Sequence, residues 1–143
     1  MRKRTPRKVR DPMAWITKST PLANDQQRDL GIAYHVSLQA MLRGSGTEQA
    51  WSTLACTLNI ALILCEQGIA AAAMPTIKLA QEALLRARER AQRTNKWAFD
   101  GEGVRIVQTA VVIHDEQIEF ATRGQIVAAL EEVHRRVMIG ETA

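Results

Sequence analysis

Apolar residues recur at helical spacing through most of this chain, and the recurrence begins only after residue 23. Leu30, Tyr34, Leu38 and Met41 follow one another at four, four and three residues, the interval that lines one face of an α-helix. Asn24 or Asp25 offers a side-chain oxygen to cap its start, and the glycines of "RGSG" at 43–46 end it. Thr47 is placed to cap a second helix that runs to Gly68. Between Ala50 and Cys65 twelve of sixteen positions are apolar and none is charged. Apolar groups therefore surround this helix instead of forming one stripe, and its place is the centre of the molecule.

Pro75 is tolerated only at a helix start or a kink. Beyond it Ile77, Ala80, Leu84, Ala87 and Ala91 form a narrow seam at alternating three and four residues, the pattern that packs against one neighbouring helix or a second copy of itself. "NKWAFDGEG" at 95–103 reads as a loop by its Asn, Asp and glycines. A fourth helix is expected over Val104 to Ala121, with Val104, Val107, Val111 and Ile118 on a face widened by Ile106, Ala110 and Ile113. Its β-branched content would also suit a strand, but its length and the charged continuation "HDEQIE" favour helix. "TRGQ" at 122–125 has the capping-box spacing; Ile126, Leu130, Val133 and Val137 follow as a seam that ends near Gly140.

This pattern predicts an all-α protein, a compact bundle of about five helices over residues 24–143, preceded by a basic, proline-containing arm at residues 1–23. Pro6, Pro12 and Pro21 exclude a continuous helix through the arm, which is expected to be disordered. Its apolar exception is "PMAWI", where Met13, Trp15 and Ile16 are suited to dock on the body. A chain of 143 residues can bury a core without disulfides or metals, and its Ala- and Leu-rich, aromatic-poor composition also favours helix.

Charge sharpens the division. Residues 1–18 carry seven Lys or Arg against Asp11 alone, a net +6, while the other 125 residues hold twelve basic and fourteen acidic side chains, a net −2. The excess positive charge belongs to the arm, and the body is mildly acidic. No apolar run of signal-peptide length follows the basic start. The charge-free stretch from Gln49 to Cys65 falls short of the roughly 20 apolar residues a membrane span needs. A cytoplasmic protein without a membrane partner is the expectation. Cys56 and Cys65 are nine residues apart, about half a turn out of phase and roughly 13 Å along one helix, so they are read as reduced, small apolar groups.

Two basic groupings carry candidate binding chemistry. Arg2, Lys3, Arg4, Arg7, Lys8 and Arg10 can contact phosphates without a defined groove, giving salt-sensitive and largely sequence-blind affinity. Arg86, Arg90, Arg93 and Trp97 lie along one helical stripe, although Glu82 and Glu89 stand four residues before Arg86 and Arg93 and favour internal ion pairs. Trp15 and Trp97 are the candidate protein-interface residues, since desolvated aromatics carry much interface energy.

Catalytic and metal chemistry find little footing. Glu131 and His134 have the Glu-x-x-His spacing of di-iron bundles, but the chain holds one copy where such sites need two. Asp115 and Glu119 are read as a solvent-facing carboxylate pair. His35 is read as an ordinary polar residue, and no motif supplies an activated Ser or Cys. The expectation is no enzyme, no catalytic residue, no metal site and no cofactor. A helix-turn-helix across "EFATRGQ" fails for want of base-reading side chains at the start of "QIVAALEEVHRR".

The opening "RKRTPRKVRDPMAWI", the Ala/Leu-rich helices and the "HDEQIE" run at His114 to Glu119 resemble a group of small phage- and prophage-associated proteins of proteobacteria, some labelled Fis-like regulators. That resemblance implies a mobile-element setting and action by binding. The expected partner is nucleic acid or a nucleoprotein complex reached through the arm. The alternative is a host protein target, with the folded body acting as an inhibitor of a defence system in the style of anti-CRISPR proteins. Self-association into a homodimer through the third helix's small-residue seam is compatible with either.

Overall fold

The least polar segment of the chain forms the axis of the molecule. The computed structural model describes residues 24–138, in which α1 (Asn24–Leu42), α2 (Glu48–Glu66), α3 (Met74–Thr94), α4 (Gly101–Phe120) and α5 (Arg123–Met138) follow one another, with one 3-10 turn at Ala71–Ala73. Helix α2 packs against each of the other four. Its Leu54, Leu58, Ala61 and Leu64 are wholly buried, and each large side chain withdrawn from water in this way contributes about 1.5–3 kcal/mol. The described residues are all-α, as the apolar pattern predicts. The arm at residues 1–23 lies outside them.

Local chemistry sets the helix ends. Thr47 Oγ1 accepts from the Ala50 N–H at 3.1 Å and starts α2. Gly68, with φ of +90°, and the Ile69 N–H bonded back to the Leu64 carbonyl at 2.9 Å close it, a left-handed finish that glycine adopts without penalty. Pro75 sits in the first turn of α3, where its missing N–H has no intrahelical partner to lose. The capping box forms in full: Thr122 Oγ1 accepts from the Gln125 N–H at 3.2 Å, and Gln125 Oε1 accepts from the Thr122 N–H at 2.8 Å.

One boundary differs from the sequence reading. Residues 101–103 belong to the first turn of α4, not to the loop. Asp100 is the N-cap, its Oδ1 accepting from the Gly103 N–H at 2.6 Å. Gly103 is glycine for want of room, since a Cβ there would stand 2.8 Å from Asp100 Oδ1 and 3.3 Å from the Ala83 side chain of α3. Glycine thus serves a close approach of α3 to α4, whereas in the sequence it looks like a breaker.

The seam of α3 is spent inside the chain. Ile77, Ala80, Leu84, Ala87 and Ala91 are all buried, with α2 and α4 as the neighbours, so this seam is not a face that meets a second copy. Among the described residues no helix is long and apolar enough to cross a membrane. Cys56 is exposed and Cys65 buried, and both are free thiols, as their spacing requires.

Candidate functional site

Helices α1, α2, α4 and α5 leave an open apolar pocket of about 300 Å³ between them. Leu30 and Tyr34 reach it from α1, Ile60 from α2, His114 from α4, and Ile126 and Leu130 from α5. Leu30 and Leu130 are 42 % and 44 % exposed and form its accessible rim. Largely apolar walls with a few fixed polar groups are the usual make-up of a binding pocket.

The polar groups come from two adjoining sets. Asp115 of α4 accepts from the Tyr34 hydroxyl and lies 2.9 Å from His35 Nε2, tying α4 to α1 at the surface. Burial first, then the hydrogen bond and charge of Asp115, push the Tyr34 hydroxyl well above its ordinary value. Tyr34 therefore remains a donor. The Tyr34 ring lies 4.9 Å from the His35 ring and 5.3 Å from the His114 ring.

The second set is wholly interior. Gln117 Nε2 donates to the carbonyls of Ala61 and Ile69, both at 3.0 Å, and lies 3.3 Å from Cys65 Sγ. Two carbonyl acceptors fix which end of the amide is nitrogen. Gln117 Oε1 must then accept from His114 Nδ1 at 3.0 Å, so Nδ1 carries the imidazole proton and Nε2 keeps a lone pair. Nε2 has no hydrogen-bond partner among the described residues, and the same ring lines the pocket.

Burial, the dominant cause, holds the His114 pKa below the ordinary imidazole value, against smaller opposing effects from Gln117 and Asp115. The unfolded chain therefore takes up this proton before the folded protein does. The associated stability is present in full above pH of about 6.5 and is lost as pH falls below that toward the depressed folded value. Urea titrations between pH 7.5 and 5 should show a declining midpoint, and His114→Phe should remove that decline. A decline of equal size in the variant would assign it elsewhere. Glu132, held down to about 2 by hydrogen bonds from Arg135 and Arg136, acts in a lower window, below the ordinary carboxylate value.

Neither thiol is activated. Desolvation, partial at the exposed Cys56, raises the pKa of both Cys56 and Cys65, the reverse of what a thiolate nucleophile needs. Among the described residues no three His, Cys, Asp or Glu side chains gather where a metal would sit. Glu131 and His134 are both exposed. Their neighbours Glu132 and Arg136 serve instead to tie α5 to the end of α2, through Arg136 to Glu66 at 2.6 Å.

The arginine stripe divides. Arg86 is bound to Asp100 at 2.9 Å rather than to Glu82, which lowers the Asp100 pKa and raises that of Arg86. Arg90 and Arg93 are exposed without an ion-pair partner among the described residues, so the Glu89 to Arg93 pair does not form. Arg88 instead lies over Trp51, 5.5 Å from its ring centre. Trp97 is half-buried with its ring 5.8 Å from that of Trp51, and the Trp51 indole N–H donates to the Leu84 carbonyl at 2.8 Å. Trp97 thus packs on the body with one side open to solvent. Arg2, Lys3, Arg4, Arg7, Lys8, Arg10 and Trp15 lie outside the described residues.

Sequence reasoning missed the cluster of Tyr34, His35, His114, Asp115 and Gln117. The i,i+3 spacing of His114 and Gln117 within "HDEQIE" is a local signal that could have found part of it, but only Asp115 and Glu119 are read as a pair in that run. Comparison with protein-family models, with curated proteins and with solved structures gives no match, so the functional reading rests on this chain's own residues.

Proposed function

We propose that the protein is a non-enzymatic binding protein of a phage or prophage, and that its basic amino-terminal segment contacts nucleic acid or a nucleoprotein complex. The observation that carries this reading is the segregation of charge, +6 over residues 1–18 against −2 over the remainder. An acidic body repels a phosphate backbone as a whole, so attraction concentrates in the segment, and Arg90 and Arg93, exposed and outside any ion pair among the described residues, are the cations of the α3 stripe that can add to it.

Deleting residues 1–11 removes six cations and is expected to weaken binding to duplex or single-stranded nucleic acid more than about tenfold at physiological salt. The dependence of log K on log salt should flatten by about 0.9 for each duplex phosphate that the segment no longer neutralises. A gel-shift titration at two salt concentrations reads both. Equal binding by the shortened protein sinks the arm as the nucleic-acid contact.

A second reading has the folded body dock on a host protein target as a defence inhibitor. The exposure of Ile32 and Val36 on α1 and of Phe120, which is 77 % exposed, favours it. Partners retained in a pull-down after nuclease digestion would support this reading over the first.

A further inference from the structure

His114 Nε2 presents to the pocket an acceptor without a partner among the described residues, beside the Thr53 and Thr57 hydroxyls, which already donate to carbonyls one turn back in α2. The pocket walls are largely apolar, and the His114 ring within it is only 4 % exposed. The Gln117 amide fixes the His114 proton on Nδ1 and so leaves Nε2 bare. A well-matched occupant is a rigid apolar group carrying a single N–H or O–H donor, because a purely apolar filler would leave the acceptor desolvated and unpaired.

The chain carries such a group close by. Trp has an indole N–H that donates and cannot accept, on a large apolar ring. Trp15 lies in "MAWI", the longest apolar run between residues 2 and 23. The tether suits the distance. Eight residues lie between Trp15 and Asn24, where α1 begins, and the nine steps between the two Cα atoms reach up to about 30 Å when extended. Leu30 on the pocket rim is only six residues further, about 9 Å along the helix. A tether this short holds the indole at an effective concentration on the order of millimolar, so even a weak interaction fills the pocket ahead of a dilute free ligand.

We propose that this pocket is the seat of the chain's own Trp15, with the indole N–H donating to His114 Nε2. The inference stands apart from the nucleic-acid reading, since it concerns only how the segment attaches to the body.

The test uses the full chain. The difference between wild-type and Trp15→Phe protein gives the emission of Trp15 and identifies its indole N–H resonance. In the wild type that emission should be blue-shifted and shielded from acrylamide. Leu130→Glu, which puts a charge on an already exposed rim position, should shift it to the red and open it to quenching, and Leu30→Glu should do the same. Exchange of the Trp15 N–H with solvent should be slower by roughly tenfold or more in the wild type than in either rim variant, as for a hydrogen-bonded group behind an opening step. Solvent-exposed Trp15 in the wild type overturns the proposal, as does shielding that persists in both rim variants while their circular dichroism stays helical. Shielding that disappears on dilution also overturns it, because the indole would then belong to a second copy.

Discussion

Replacing Gln117 by Leu is expected to lower the unfolding free energy by about 3 kcal/mol, although the two side chains are similar in bulk. Gln117 is fully buried. Its nitrogen holds the Ile69 carbonyl in the turn between α2 and α3, where Gly68 has φ of +90° and Ala70 has φ of +56°. Cys65 Sγ reaches the Ala70 carbonyl at 3.3 Å in the same turn. Leu donates nothing, so the Ile69 carbonyl and His114 Nδ1 both lose their partner, and each such orphan costs about 1–3 kcal/mol. Ala61 sits within α2 and keeps its helix bond, so it adds little. The denaturant midpoint should fall with its slope unchanged; a midpoint within 1 kcal/mol of wild type, on the order of a single hydrogen bond, would refute the latch.

Gln117→Glu separates hydrogen bonding from shape. A carboxyl group can donate here only when protonated, so its folded pKa must lie above the ordinary Glu value of about 4.3. This contribution is present below the unfolded pKa and is lost as pH rises through the raised folded value. The variant should thus lose stability toward neutral pH, where the His114 contribution of the wild type is fully retained.

The capped starts of α2 and α5 were legible in the sequence because they are local. Thr47 with Ala50, and Thr122 with Gln125, are three residues apart, and their bonds form wherever the backbone turns. The buried seam of α3 was legible for the same reason of period. The candidate site was not. His35 and Asp115 stand 80 residues apart, and no periodicity joins them. Read within its own helix, Asp115 faces solvent beside Glu119; in the folded chain α1 lies against α4 and supplies two partners. Arg86 shows the same bias toward near neighbours. Glu82 is one helical turn away, but Asp100 is already held by the Gly103 N–H as an N-cap. Less freedom is lost in pairing with a fixed carboxylate than with a mobile one.

The two glycines of "RGSG" look alike in sequence, and their replacement by Ala separates them by size and by signal. Gly44 has φ of +79° with open space around it, so Gly44→Ala meets only the backbone penalty of a left-handed position, about 1 kcal/mol. Gly46 has no such angle. A Cβ there would stand 2.1 Å from the Trp97 carbonyl oxygen and 2.8 Å from Met41 Sδ. Met41 is buried, and the clash at Trp97 is with backbone rather than a flexible tip, so relief requires the 95–100 loop to move away from the end of α1. Gly46→Ala is therefore expected to cost about 3 kcal/mol, the upper range for overpacking. It should also carry a mark that Gly44→Ala lacks. Moving Trp97 disturbs its packing on Trp51 at 5.8 Å and, through Trp51, the Arg88 guanidinium above that ring. Near-ultraviolet circular dichroism of the folded protein should change for Gly46→Ala and stay as in the wild type for Gly44→Ala. Equal stability losses in the two variants, with both spectra unchanged, would refute the close approach of Gly46 to Trp97 as the reason glycine stands there.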